Sequence, residues 1–181
     1  MPALPVIPTF VDGVLSSTTD NQLAAAVAFL FTPPRARLVQ TVAQSLTTSV
    51  WAAATFDAEV FDLFPAGYGA TGGHSTSSNT SRYTCEFPGT YLLSGNGSFA
   101  NNATGIRATR WAVNGTAVNA TASGTTALTG NPTSVGAAGF SVVLAVGDYV
   151  ELQLFQSSGG ALNTSVSGAD ESSMSVLFVG A

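Results

Sequence analysis

From residue 35 onward, apolar residues fall at every second position or in short runs, separated by clusters of Gly, Asn, Pro and Ser. Alternation with period two marks strands that bury one face. The pattern predicts eight strands, at about 37–41, 49–56, 81–86, 90–99, 105–114, 140–146, 149–156 and 173–179. In 149–156, Val150, Leu152 and Leu154 alternate with Tyr149, Glu151, Gln153 and Phe155, and the aliphatic set is expected in the core. Asn114-Gly115 carries a hairpin signal, and Gly147-Asp148 is a tight turn needing a backbone that tolerates positive φ. Many short strands punctuated by turn residues predict an all-β fold, an antiparallel β-sandwich of jelly-roll type.

The chain before Pro33-Pro34 reads differently. Residues 1–10 alternate proline with apolar residues, which favours an extended conformation. One short helix is predicted at about 20–31, with Ser17 or Asp20 as its cap and Pro33-Pro34 as its stop. Leu23, Val27, Leu30 and Phe31 follow the spacing of a single apolar face. The chain therefore divides into an N-terminal attachment arm, 1–34, and a knob, 35–181. A helix of about twelve residues is marginal alone in water, so its apolar face needs a partner. That partner is its own β-domain, the arms of sister subunits, or another protein. The proline-rich lead favours the last two, because it suits threading onto a neighbour.

Composition narrows the function. Of 181 residues only 8% are charged: five Arg, no Lys and ten acids, for a net charge of −5. Nucleic-acid binding draws on phosphate-neutralising cations, and five scattered Arg make no basic stripe, so no nucleic-acid partner is expected. The acidity gives no attraction to anionic membranes, and no apolar run approaches the ~20 residues that span a bilayer. The start lacks a basic region and is broken by Pro2, Pro5 and Pro8, which argues against a secretory leader. Cys85 is single, so the fold is expected to stand without an intrachain disulfide.

Candidate chemistry is sparse. His74, the one histidine, follows Gly72-Gly73 and reads as an exposed loop residue with nothing to orient it as a base. Cys85 reads as a small buried hydrophobe, with Arg82 on the opposite strand face. Asp57, Glu59 and Asp62 form an acidic cluster, and Asp170-Glu171 another; each reads as a solvated edge, short of the six to eight oxygens calcium takes. No Walker, Rossmann, zinc-ligand or paired-carboxylate motif is present, so no catalytic residue, metal or cofactor is expected. Trp111, inside a strand, reads as core or intersubunit packing. The run from Phe61 through Phe64 to Tyr68 is apolar, aromatic and loop-like, and is the candidate partner patch. Tyr83, Tyr91, Tyr149, Phe155 and Phe178 look like more apolar surface than one small sandwich hides, which points to self-association.

Four segments carry a resemblance. Phe87-Pro88-Gly89-Thr90-Tyr91-Leu92-Leu93-Ser94, Arg110-Trp111-Ala112-Val113-Asn114-Gly115, Leu144-Ala145-Val146-Gly147-Asp148-Tyr149-Val150-Glu151-Leu152 and the closing run 173–179 resemble, in order, strands of tumour-necrosis-factor-like and complement globular-head jelly rolls. The arm and first strands (Leu23, Phe29-Leu30, Pro33-Pro34-Arg35-Ala36, Gln40-Thr41, Gln44-Ser45, Trp51, Thr55 to Glu59), with Ser158 to Asn163, resemble small virion proteins of tailed bacteriophages infecting actinobacteria. Such proteins are described as minor tail proteins, and similar jelly rolls serve as capsid decorations or head fibres. The resemblance implies a non-enzymatic homotrimer on the particle surface, made in the host cytoplasm, with other virion proteins as partners. A second implied role is host attachment, in which loops at about 67–81 and 124–136 recognise a surface glycan or receptor.

Overall fold

The computed structural model describes residues 17–65 and 72–181. The chain runs α1 (Ser17–Phe31), β1 (Arg35–Val39), β2 (Ser45–Leu46), β3 (Ala52–Ala53), β4 (Ala58–Leu63), β5 (Tyr83–Thr84), β6 (Gly89–Phe99), β7 (Ile106–Val113), β8 (Thr116–Ala117), β9 (Ser123–Thr126), β10 (Thr133–Leu144), β11 (Tyr149–Gln156), β12 (Leu162–Asn163) and β13 (Ser173–Gly180).

Two antiparallel sheets face each other. The first has the order β10-β6-β13-β1-β4; the second has β3-β11-β7-β8, with β5 also on β11 and β9 also on β7. The last strand is thus inserted between β1 and β6, so sequence-distant segments are neighbours, as the jelly roll requires. Between the sheets lies one core: Leu38, Phe56, Tyr83, Phe87, Tyr91, Leu93, Phe99, Trp111, Leu152, Leu154, Met174 and Val176 are all fully or almost fully buried. Val150, Leu152 and Leu154 point inward, as their alternation predicts. Trp111 is core, and its indole N–H donates to the Ala138 carbonyl at 2.7 Å. Tyr83, Tyr91 and Phe178 lie in this same core rather than forming an apolar surplus on the outside.

The two turn signals lock together. Asn114 and Gly115 adopt φ of 51° and 75°, and Gly147 adopts 90° with open space around it, so conformation alone requires glycine there. Asn114 donates from Nδ2 to Asp148 Oδ1 at 2.8 Å, and its Oδ1 accepts from the Tyr149 N–H at 2.9 Å. The Ala145 N–H donates to Asp148 Oδ2 at 2.8 Å. These bonds hold the Asp148 carboxyl below the usual aspartate range, although it is open to solvent.

Several expected strands are redrawn. The stretch 49–56 contributes only the two residues of β3, and Ser49 at its start takes a φ of 60° that no regular strand accommodates. The stretch 81–86 reduces to β5, and the strand expected at 140–146 begins at Thr133. β4 and β9, and the two-residue strands β2, β8 and β12, were not expected. β9 and the start of β10 are built of Ser, Gly, Thr and Ala, so they show no apolar alternation.

The helix spans 15 residues from Ser17, with Asp20 in its first turn rather than ahead of it. Thr32 closes it, donating from N–H and hydroxyl to the Ala28 carbonyl at 2.9 and 2.7 Å, and Pro33 has no N–H to continue. Ala26 and Phe29 face the sandwich. The Phe29 ring stands edge-on against Phe87 and Phe178, with centroids 5.4 and 5.1 Å away. The Pro34 carbonyl, just beyond, accepts from the Phe178 N–H.

Candidate functional site

The outer faces of the two sheets differ in kind. Cross-strand register places Leu63, Arg35, Leu177, Leu92 and Ser141 in one row across the outside of the first sheet. Leu63, Leu92, Leu177, Val179 and Val143 are exposed there, Val143 to 76%. Farther along the same face, small polar groups take over, with Ser173 donating to Asn96 Oδ1 at 2.6 Å and Ser98 bonded to Ser134.

On the outer face of the second sheet each large side chain of β11 has a partner. Arg82 lies 4.0 Å over the Tyr149 ring and donates from Nε to Glu151 at 3.2 Å, while Ser81 donates to the same carboxylate. Arg110 donates from Nε to Gln153 at 2.7 Å and lies 4.2 Å over the Trp51 ring, which in turn sits 5.2 Å from Phe155.

The proposed arm-interface residues, Leu23, Val27, Leu30 and Phe31, are exposed on the helix, the last two to 78%. The docked side is the other one, where small Ala26 lets the helix approach and Phe29 fills a gap between core rings. Sequence periodicity found the apolar face but gave no sign that a single aromatic on the opposite side makes the contact.

The candidate partner patch is not one patch. Phe61 lies on β4 opposite Arg37, on the outer side of the first sheet. Phe64 turns inward and packs on Phe87, ring centroids 5.8 Å apart. Tyr68 lies outside the described residues.

The acidic cluster also separates. Asp57 accepts from the backbone of Thr41 and Val42 at 2.8 and 3.1 Å and from the Thr41 hydroxyl. Burial works to raise the Asp57 carboxyl, but these bonds outweigh it and hold it low. Glu59 and Asp62 pair with Leu38 and Ala36 and so point to the inner side of β4, at the margin of the sandwich. Among the described residues no group of three or more His, Cys, Asp or Glu is placed to hold a metal ion.

His74 corrects the sequence reading most. Its side chain is fully buried. Nδ1 meets Glu59 Oε1 at 2.8 Å, Nε2 meets the Thr80 carbonyl at 3.1 Å, and its N–H donates to Asp62 Oδ2 at 2.9 Å. The ring is oriented after all, but both nitrogens are occupied, which leaves none to activate a nucleophile. Burial, followed by repulsion from Glu59, raises the Asp62 carboxyl. Cys85 is buried, with Sγ 3.0 Å from the Phe87 carbonyl, and burial pushes its thiol up.

Beside His74 is a polar cavity of about 270 Å³, walled by Gly72, Gly73, Ser75, Ser78, Asn79, Arg82 and Thr84. A Cβ on Gly73 would lie 2.4 Å from the Tyr83 ring, so only glycine lets this wall rest on the core. Arg107 was also missed: it is fully buried, and its guanidinium donates to the carbonyls of Asn102, Thr104 and Ile106. Nothing in a lone Arg within the strand sequence announces that role.

No protein-family model matches the sequence, and no curated protein matches it. Solved structures do. The globular domain of zebrafish complement 1qA protein is 14% identical over 81% of this chain and 97% of its own, with a TM-score of 0.54. Murine APRIL at pH 8.0 is 14% identical over 81% and 98%, with a TM-score of 0.57. Eiger TNF from S. frugiperda is 11% identical over 81% and 92%, with a TM-score of 0.53. At these identities the likeness establishes the architecture, and the chain has the jelly-roll fold that its sequence motifs imply.

Proposed function

We propose that this chain is a non-enzymatic virion protein of a tailed bacteriophage, a homotrimeric jelly-roll knob carried on the particle surface by its N-terminal arm. Such a knob serves as a minor tail protein or as a capsid decoration. The observation that carries the reading is the apolar outer face of the first sheet, where Leu63, Leu92, Leu177, Val179 and Val143 are exposed among the described residues. Contiguous exposed apolar surface marks an association site, and cyclic packing of three copies covers it and the neighbouring sheet edges. The exposed Leu23, Val27, Leu30 and Phe31 supply a separate surface for the arms of sister subunits or another virion protein. Light scattering on the full chain should give three times 18.3 kDa, and labelling on intact virions should light heads or tail tips. A monomer at micromolar concentration overturns the trimer; absence from purified particles overturns the virion role.

A second reading, recognition of a saccharide on the host surface, is favoured by the polar cavity beside His74.

A further inference from the structure

We propose that the cavity bounded by residues 72–84 is a subsite for one neutral sugar ring; this rests on the second reading above. The cavity, about 270 Å³, lies near the small end of ligand pockets, which run to about 300–1,000 Å³. Its lining is hydroxyl, amide, guanidinium and glycine backbone, with no large aliphatic side chain. That inventory offers both donors and acceptors, which is what a ring of hydroxyl groups requires.

The wall is already ordered. His74 is held at both ring nitrogens and at its N–H. Ser75 Oγ accepts from the N–H groups of Ser77 and Ser78 at 3.3 and 3.2 Å, Arg82 N–H donates to the Asn79 carbonyl at 3.0 Å, and Thr84 N–H to the Gly73 carbonyl at 2.6 Å. A ligand therefore does not bear the entropy of ordering the loop. Arg82 is fixed twice, on the Tyr149 ring and through Nε on Glu151. Arg82 also lines the cavity, and among the described residues its two terminal nitrogens make no hydrogen bond, so they remain available as donors.

Charge selects the ligand. Glu151 neutralises Arg82, Glu59 and Asp62 stand behind His74, and the chain carries −5 overall. An anionic sugar would meet no uncompensated cation here, whereas a neutral one meets a neutral donor array.

The test is amide-shift mapping by NMR on the full chain with methyl glycosides of neutral hexoses and with a uronic acid, all at millimolar concentration. Expected are shifts within residues 72–84 for at least one neutral glycoside and none for the acid. Ser78→Tyr and Ser75→Tyr, which fill the cavity, should each abolish them. Arg82→Lys keeps the charge facing Glu151 but loses the planar fork, and should weaken binding about tenfold. Sugar-induced shifts elsewhere with a silent cavity overturn this site and leave glycan recognition standing. Binding of the acid alone overturns the charge argument, and no binding by any sugar overturns both readings.

Discussion

The outer faces of the two sheets, made by the same chain under the same turn rules, end in opposite states. On the second sheet Tyr149, Glu151, Gln153 and Phe155 are each covered or bonded by Arg82, Arg110 or Trp51. On the first, Leu63, Leu92, Leu177, Val143 and Val179 stand open. The contrast follows from where the long side chains were placed. Three of the five arginines lie over aromatic rings, and two of them, Arg82 and Arg110, do so on this outer face and shield the rings there. Arg35 and Arg37 rise from β1 instead, and neither has a ring-stacking contact among the described residues. One face has its large side chains covered, and the other leaves its apolar side chains open.

The largest effect should come from charging the open face. Leu92→Asp with Leu177→Asp sets two carboxylates side by side in register, and the assembly should fall to a monomer in light scattering. Gln153→Asp on the covered face should leave the mass unchanged. If both variants keep the same mass, the two faces do not differ in function.

The helix repeats the contrast on a smaller scale. Phe29→Ala removes a ring from the core and should cost about 3–5 kcal/mol in denaturant unfolding. Phe31→Ser, on the exposed side, should change stability by less than about 0.5 kcal/mol. A reversal of that order would mean that the helix docks through Leu23, Val27, Leu30 and Phe31.

The smallest effect concerns pH. Asp148 has a lowered folded pKa, so its stabilising contribution is present above the ordinary value of 3.8 and is lost as pH falls through the folded value. Asp148→Asn should lower the melting temperature at neutral pH and flatten the acid limb. Asp62 has a raised folded pKa, so its ionised form is a cost at neutral pH that is relieved as pH falls. Asp62→Asn should gain stability at neutral pH and lose that advantage in acid. Melting curves across pH read both signs.

Much of the sandwich was legible because β11 and β13 carry alternating apolar positions, because β6 and β7 hold short apolar runs, and because Asn114-Gly115 and Gly147-Asp148 force their turns. β9 was not, since Ser, Gly and Thr give no contrast between faces. β4 was hidden by inversion: Glu59 and Asp62 point inward while Val60, Phe61 and Leu63 are exposed, the opposite of what periodicity assumes. The cavity was illegible beyond its loop, because its shape depends on His74 meeting carboxylates some 12 to 15 residues earlier. A contact of that kind has no local signature.

That inverted strand has a consequence for how the protein avoids sticking to itself wrongly. β4 ends its sheet and has no further strand beside it among the described residues. Open strand edges invite edge-to-edge polymerisation, and inward-pointing charges are one way natural sheets discourage it. Here Glu59 and Asp62 point inward and are tied to the His74 loop, so two carboxylates lie at the rim of the apolar core beside this edge. Inward charge of this kind penalises pairing along the sheet edge, while the exposed apolar groups lie on the flat outer side of the same sheet.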